Sequence, residues 1–524
     1  MELHQHELWQ LLGLLVAVGA LLVLAPVLHV PYPILLVVGG LALGFAPGLP
    51  DFELPPQLVL IAFLPPLLYS SAFFTSLRDL RANVGPIAVL AVGLVAATTA
   101  GVAVIAHWAT GMTWHAAFVL GAVVSPTDPI AATSIARRLG VPRTIVAIIE
   151  GESLVNDATA LVLYRAAVAA AVSGAFSLAD TAGRMLLNAA AGIAIGLGVG
   201  YVVRQVRKRL NHSPTEITIA FLTGYLAYLP AEALGVSAVL AAVTAGIYLG
   251  WYTPELTTAE TRLQGFAFWT ILVFILNAAL FTLVGLQLPQ VLDGLDPWST
   301  GELVLGAVAV CAAVIVIRFM WVFPFAYLPG FLFGSKRVPW QYPVLIGWTG
   351  MRGAVSLAAA LAIPLQTDAG SAFPARELII FLAFMVILAT LVLQGLSLPL
   401  VIRALRIEDD PAEEREESKA RLHAAKAALN RLDELVDEEW VREDTAERVR
   451  GGYRFRIDRF GERLKGGDGS VEERSQDYQR LRRQLLRAER DAVVDLRRQG
   501  VISDDVMHRV LRDIALEDVR LDAG

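Results

Sequence analysis

Between Gly151 and Val162 the chain reads GESLVNDATALV, an apolar segment that nevertheless carries Glu152, Ser153, Asn156 and Asp157. Ser153 and Asp157 are four apart, as are Glu152 and Asn156, so on a helix they form two adjacent polar stripes on one face. Two further polar stretches interrupt apolar runs. SPTDP sets Thr127 and Asp128 between Pro126 and Pro129, and GWTGMRGAV sets Arg352 among Gly347, Gly350 and Gly353. Carboxylates, hydroxyls and freed backbone carbonyls are oxygen ligands, the kind that suit a hard monovalent cation. No group of His or Cys at ligand spacing accompanies them, which argues against a transition metal. Desolvation favours the protonated form of a carboxylate, so one such cavity can take a proton or a cation in turn.

The two carboxylates of the stripe call for different roles. A charge at the bilayer centre costs between ~3 and ~10 kcal/mol or more, so it needs a partner or a cavity. Glu152 reads as half of a structural ion pair with Arg352, the other strong charge far from a span end. No second spare cation is evident for Asp157: Arg165 is about two turns away and can snorkel, and Arg318 lies nearer the cytoplasmic end of its span. Asp157 is left for an exchangeable ion.

The elements that hold these residues must cross a membrane. The chain has 524 residues, 56% of them hydrophobic and 18% charged, against ~25% charged in soluble proteins, and its mean hydropathy is +0.58. A crossing helix needs roughly 20 mostly apolar residues, which gives about 13 spans. They lie near 7–27, 32–47, 56–74, 84–107, 114–138, 143–173, 181–203, 214–231, 235–252, 263–288, 301–328, 341–365 and 376–402. Alternate loops divide by charge. One set holds Arg78, Arg81, Arg137, Arg138, Arg143, Arg204, Arg207, Lys208, Arg209, Lys336 and Arg337. The other holds Asp51, Glu53, Asp180, Glu232, Asp293, Asp296 and Asp368, with Arg184 and Arg376 only at its edges. By the positive-inside rule the N-terminus is outside and the tail cytoplasmic. The fifth and twelfth spans are interrupted, at the proline pair and at the glycines, and each is followed by one further long span. That arrangement reads as inverted repeats with discontinuous helices around a site near the midplane.

Two smaller readings complete the membrane part. MELHQHELWQ lacks the basic region and cleavage site of a signal peptide, so the first helix is expected to stay. The single Cys311 lies in an apolar run and reads as a small buried hydrophobe. Residues 1–406 form the transport domain on this reading, and 407–524 a charged, helical, cytoplasmic and regulatory domain. Amphipathic helices are expected at Ala420–Leu432, Ser475–Leu496 and Val506–Leu516, with breaks at Gly451, Gly452 and the Gly466–Gly469 region.

FLPPLLYSSAFF (63–74), SPTDP (125–129), GESLVNDATALV (151–162) and GWTGMRGAVSLAAALAIP (347–364), in that order, resemble the sodium/proton exchanger family, the NhaP/NHE branch of monovalent cation:proton antiporters. The likeness extends to about Arg406. It implies a homodimer in the bacterial inner membrane that serves pH homeostasis, with a core bundle around two crossing discontinuous helices. Asp157 would bind the cation (sodium) and the proton, with Ser153 and Thr127 beside it. Asp128 would balance the half-helix dipoles at the crossing, and Asn156 would support the site. Family members often carry an acidic residue just after the Pro-Pro segment. Here the chain reads Tyr69, Ser70, Ser71, and Ser70 takes that place. Because Asn156 is a neutral amide, one proton should trade for one cation, and the exchange should be electroneutral. The expected partners are monovalent cations, protons, the bilayer and a second copy, with no cofactor, no enzymatic reaction and no nucleic acid.

Two other classes compete. A sodium-coupled organic-anion symporter could share inverted repeats but needs cationic groups for its substrate, and Arg352 is already committed. An intramembrane aspartyl protease would use Asp128 and Asp157 to activate water, yet its Gly-x-Gly-Asp signature is absent and it gives no reason for Arg352.

Overall fold

The computed structural model describes residues 5–28, 32–45, 56–173, 178–333, 338–407, 412–465 and 470–522. Asp51, Glu53, Lys336, Arg337, the side chain of Arg184 and the Gly466–Gly469 region lie outside these. Among the described residues the chain is helical, with one isolated antiparallel bridge between Gln366 and Ala372. It divides into two compact units, Met1–Asp409 and Asp410–Gly524.

In the first unit six helices are long and apolar enough to cross a membrane: Val84–Thr110, Arg143–Ser173, Leu186–Arg207, Ala259–Asp293, Thr300–Leu328 and Arg376–Leu405. Shorter apolar helices are Val16–Ala25, Tyr32–Gly44, Val59–Phe74 and Trp114–Val124. Leu186, Phe266, Val308 and Met320 are exposed on these helices. Such faces suit lipid, because a helix satisfies its backbone groups internally except in its first and last turns. Arg207, counted above with the loop cations, is instead buried, 3.8 Å from the buried carboxylate of Glu216.

Both interruptions follow from local chemistry. Helix Trp114–Val124 ends where Pro126 and Pro129 remove N–H donors. The chain runs extended through 126–128 and restarts as Pro129–Arg138. Pro129 sits in the first turn, where the missing donor has no helical partner to lose. Asp128 is the N-cap, and its carboxylate accepts from the Ile130 N–H at 2.9 Å. Helix Gln341–Trp348 likewise stops before the glycine-rich stretch and restarts as Ala354–Leu361.

These two breaks meet. The Asp128 N–H donates to the Met351 carbonyl at 2.8 Å, and the Arg352 guanidinium donates to the Ser125 carbonyl. Gly353 makes the approach possible, because a Cβ there would lie 1.9 Å from Asp128 Oδ2. Helix Arg143–Ser173 is unbroken and packs against both halves of the first broken pair, which brings its polar stripes to the level of the crossing.

The second unit holds four helices, Ala412–Leu435, Glu443–Lys465, Ser470–Arg498 and Asp504–Asp522, of which the first two and the last two pair. Arg482 bridges the last pair through Glu517 at 2.9 Å, and Arg497 meets Asp504 at 2.7 Å. The expected break at Gly451 and Gly452 is absent, and both glycines lie inside Glu443–Lys465. Each costs ~1 kcal/mol relative to alanine in a helix, and burial of Ala446 and Phe460 against the neighbouring helix outweighs that propensity.

Candidate functional site

Glu152 is held by Arg318. The guanidinium donates to Oε1 at 2.5 Å and to Oε2 at 2.9 Å, and each side chain is only 1% exposed. Arg318 Nε also donates to the Ile346 carbonyl at 3.0 Å. The pair expected from sequence, Glu152 with Arg352, is therefore not the one formed. Helix Thr300–Phe333 is 34 residues long, so Arg318 sits near its middle rather than at a membrane edge. Its flat fork can then meet both carboxylate oxygens. Gly350 clears the way, since a Cβ there would stand 2.4 Å from Arg318 Cδ.

Arg352 has a different task. It donates to the carbonyl of Ser125, the residue that caps the C-terminus of Trp114–Val124, while its Nε and one terminal nitrogen have no partner among the described residues. A cation thus sits at the negative end of one half-helix. The Asp128 carboxylate meets the N–H groups of Ile130 and Ala354, at the positive ends of both restarting halves. Each fixed charge complements the backbone dipole it touches.

Thr127 joins the broken segment to the polar stripes. Its Oγ1 accepts from Asn156 Nδ2 at 2.7 Å and lies 3.3 Å both from Glu152 Oε1 and from Ser153 Oγ. Ser153, Asn156 and Glu152 are buried behind Thr127. In front lies a cavity of about 450 Å³ whose wall includes Asp157, Thr127, Asp128 and Ser70. Ser70 donates its hydroxyl hydrogen to the Leu67 carbonyl at 3.0 Å, which leaves its oxygen able to accept. Ser153 and Asn156 do not line this cavity. Asp157 forms no ion pair among the described residues, and Asp128 lines the same cavity. Arg165, the cation nearest to it along the helix, is bound to Glu232.

Charge counting defines what the site can do. Three carboxylates, Glu152, Asp128 and Asp157, stand against two guanidinium groups, Arg318 and Arg352, so the formal count leaves one negative charge over; Glu152 is ion-paired and Asp128 is held by backbone N–H groups, which leaves Asp157. A proton or a monovalent cation at Asp157 neutralises the cluster.

The sequence reading puts Arg318 nearer the cytoplasmic end of its span and does not single out Asn277 and Ser356, two buried polar residues on the cavity wall. The available signals were Gly350, which only a close neighbour explains, and a lone amide in the middle of the apolar run Ile271–Leu280.

Residues 13–404 match the family described as sodium/hydrogen exchanger, transmembrane. An uncharacterised Na+/H+ exchanger of Mycobacterium tuberculosis is 37% identical over 97% of this chain and 96% of its own length. A sodium, potassium, lithium and rubidium/H+ antiporter of Bacillus subtilis is 35% identical over 71% of this chain and 58% of its own. The sodium proton antiporter MjNhaP1 of Methanocaldococcus jannaschii has the same fold, with a TM-score of 0.62 at 19% identity over 78% of this chain and 100% of that one.

Proposed function

The chain belongs to the sodium/hydrogen exchanger family, and on that premise we propose that a monovalent cation, sodium in the first instance, and a proton compete for Asp157 in an alternating-access, electroneutral exchange. The chain is a transporter and not an enzyme. One observation carries the assignment of the site: among the described residues Asp157 faces the cavity without a cation partner, while Arg318 and Arg352 are tied to Glu152 and to the Ser125 carbonyl. Thr127 and Ser70 supply neutral oxygens on the cavity wall, Ser153 and Asn156 support Thr127 from behind, and Asp128 fixes the crossing.

The finer architecture belongs to the same proposal. About 13 spans arranged as inverted repeats, a homodimer in the plasma membrane, the N-terminus outside and a cytoplasmic regulatory tail from residue 407 are supported by the loop charge pattern, the two interrupted helices and the family. Organic-anion symport finds no support, because the family and the named relatives are cation/proton exchangers. Intramembrane proteolysis finds none either, because the Asp128 carboxylate is held by two helix N-termini.

The test is proton movement in proteoliposomes driven in turn by sodium, potassium and lithium, with Asp157→Asn beside the parent chain. Cation-driven proton flux that disappears in Asp157→Asn is expected. Flux that survives in that variant would place the exchange site elsewhere.

A further inference from the structure

Helix Ala259–Asp293 gives the cavity its other wall through Phe266, Trp269, Thr270, Val273, Phe274 and Asn277. From Phe266 to Asn277 this stripe runs ~16 Å along the helix. All but Thr270 and Asn277 are apolar, and only Asn277 is buried with its polar atoms unsatisfied. It is 1% exposed, and neither its Oδ1 nor its Nδ2 has a hydrogen-bond partner among the described residues. Ser356, in the first turn of the restarting helix Ala354–Leu361, lines the same cavity, is 1% exposed, and its Oγ is likewise unpartnered.

An amide buried without partners destabilises a fold, and a leucine of similar size would pack there without that cost. Two such groups on the wall of one cavity point to a ligand that satisfies them. We propose that Asn277 and Ser356 form a second polar station that holds the partly hydrated monovalent cation through neutral oxygens on its way to Asp157. The inference rests on the exchange reading above. Neutral oxygens bind a hard cation more weakly than a carboxylate does, so the ion can be handed on to Asp157 rather than trapped. The two polar sites also sit on different elements. Asp157 belongs to Arg143–Ser173 and Ser356 to the half-helix that starts at the crossing, whereas Asn277 belongs to the helix that packs against Tyr32–Gly44. A movement of one wall past the other would therefore change the distance between them, so the station acts in only part of the cycle.

The experiment compares the full-length parent, Asn277→Leu, Asn277→Gln, Ser356→Ala and Asp157→Asn in proteoliposomes, with thermal unfolding of each purified protein. Asn277→Leu should melt at or above the parent temperature while its apparent KM for sodium rises about fivefold, the scale of one lost hydrogen-bond-strength contact. Its maximal rate should stay near that of the parent. Ser356→Ala should shift KM in the same direction by less, and Asn277→Gln, which keeps the carboxamide, should recover much of the affinity. Parent KM in both Asn277→Leu and Ser356→Ala, or a lower melting temperature in Asn277→Leu with unchanged KM, would make these groups structural and overturn the proposal. Asp157→Asn separates the two claims. If that variant still exchanges ions the site assignment fails, whereas if it is inactive and Asn277→Leu has the parent KM only the station fails.

Discussion

Glu152 and Asp157 lie less than two turns apart on one helix, and the fold treats them in opposite ways. Glu152 is closed off: both oxygens are bound by Arg318 and one also by Thr127. Asp157 faces a cavity and, among the described residues, no cation. On the proposed reading the same chemical group is structural where its charge is permanently offset and exchangeable where the offset must come from outside. A cation/proton site therefore needs a nearby charge that does not exchange, since a second loose carboxylate would change the number of protons carried.

The largest effect expected from this contrast is on activity, in Asp157→Asn. An amide cannot alternate between proton and cation, so exchange should fall to background. Melting temperature should hold, because no ion pair is broken by the change. A variant that is inactive and also unstable would mean that Asp157 has a structural partner after all, and the contrast with Glu152 would collapse.

Glu152 should show the reverse pattern. Glu152→Gln leaves Arg318 buried and unpaired, which typically costs ~3 to 5 kcal/mol. Arg318→Met leaves Glu152 in the same condition. Each single variant should melt early or express poorly, while Glu152→Gln with Arg318→Met should recover most of the loss. Thermal unfolding of the three proteins checks this. A double variant no more stable than the singles would show that the pair is not the coupled unit.

How far these partners could be read in the sequence depended on whether local chemistry decided them. Pro126 and Pro129 dictate a break wherever the helix sits, and helical spacing alone gathers Glu152, Ser153, Asn156 and Asp157 on one face. The cation that meets Glu152 is another matter. Arg318 is 166 residues away, and its choice over Arg352 depends on how three helices pack and on the space left by Gly350. The tail erred in the other direction: Gly451 and Gly452 look like a stop, yet packing carries the helix through them. Asn277 gives only a weak signal for a simpler reason: one amide in an apolar run has no spacing to interpret, and its lack of partners in the fold is what marks it.

Arg352 offers a smaller test of the same contrast. Its contact is with the end of a half-helix rather than with a carboxylate, and a charge at a helix terminus contributes ~0.3 to 2 kcal/mol. Arg352→Gln keeps an N–H donor for the Ser125 carbonyl and should be destabilised well short of Arg318→Met. Equal losses in the two variants would mean that Arg352 shares the Glu152 charge, as the sequence suggested.

The smallest expected effect is none at all, and it concerns voltage. By formal count the two guanidinium groups of Arg318 and Arg352 balance the carboxylates of Glu152 and Asp128, so on the proposed reading the loaded cluster is neutral whether Asp157 holds a proton or a monovalent cation. The neutral amide of Asn156 beside it is buried against Thr127 and offers no second proton site. A cycle that moves neutral clusters in both directions carries no net charge, whereas a charge-moving cycle would feel ~2.3 kcal/mol per charge per 100 mV. Sodium-driven proton flux should therefore be the same in proteoliposomes held at different potassium-diffusion potentials with valinomycin, and the same again in controls with those potassium gradients but no valinomycin. A steep dependence on potential seen only with valinomycin would mean that a second carboxylate cycles protons. Asp128 would be the first suspect, because it is the one other acid on the cavity wall, and Asp128→Asn would then abolish the voltage dependence if that carboxylate carries the extra charge.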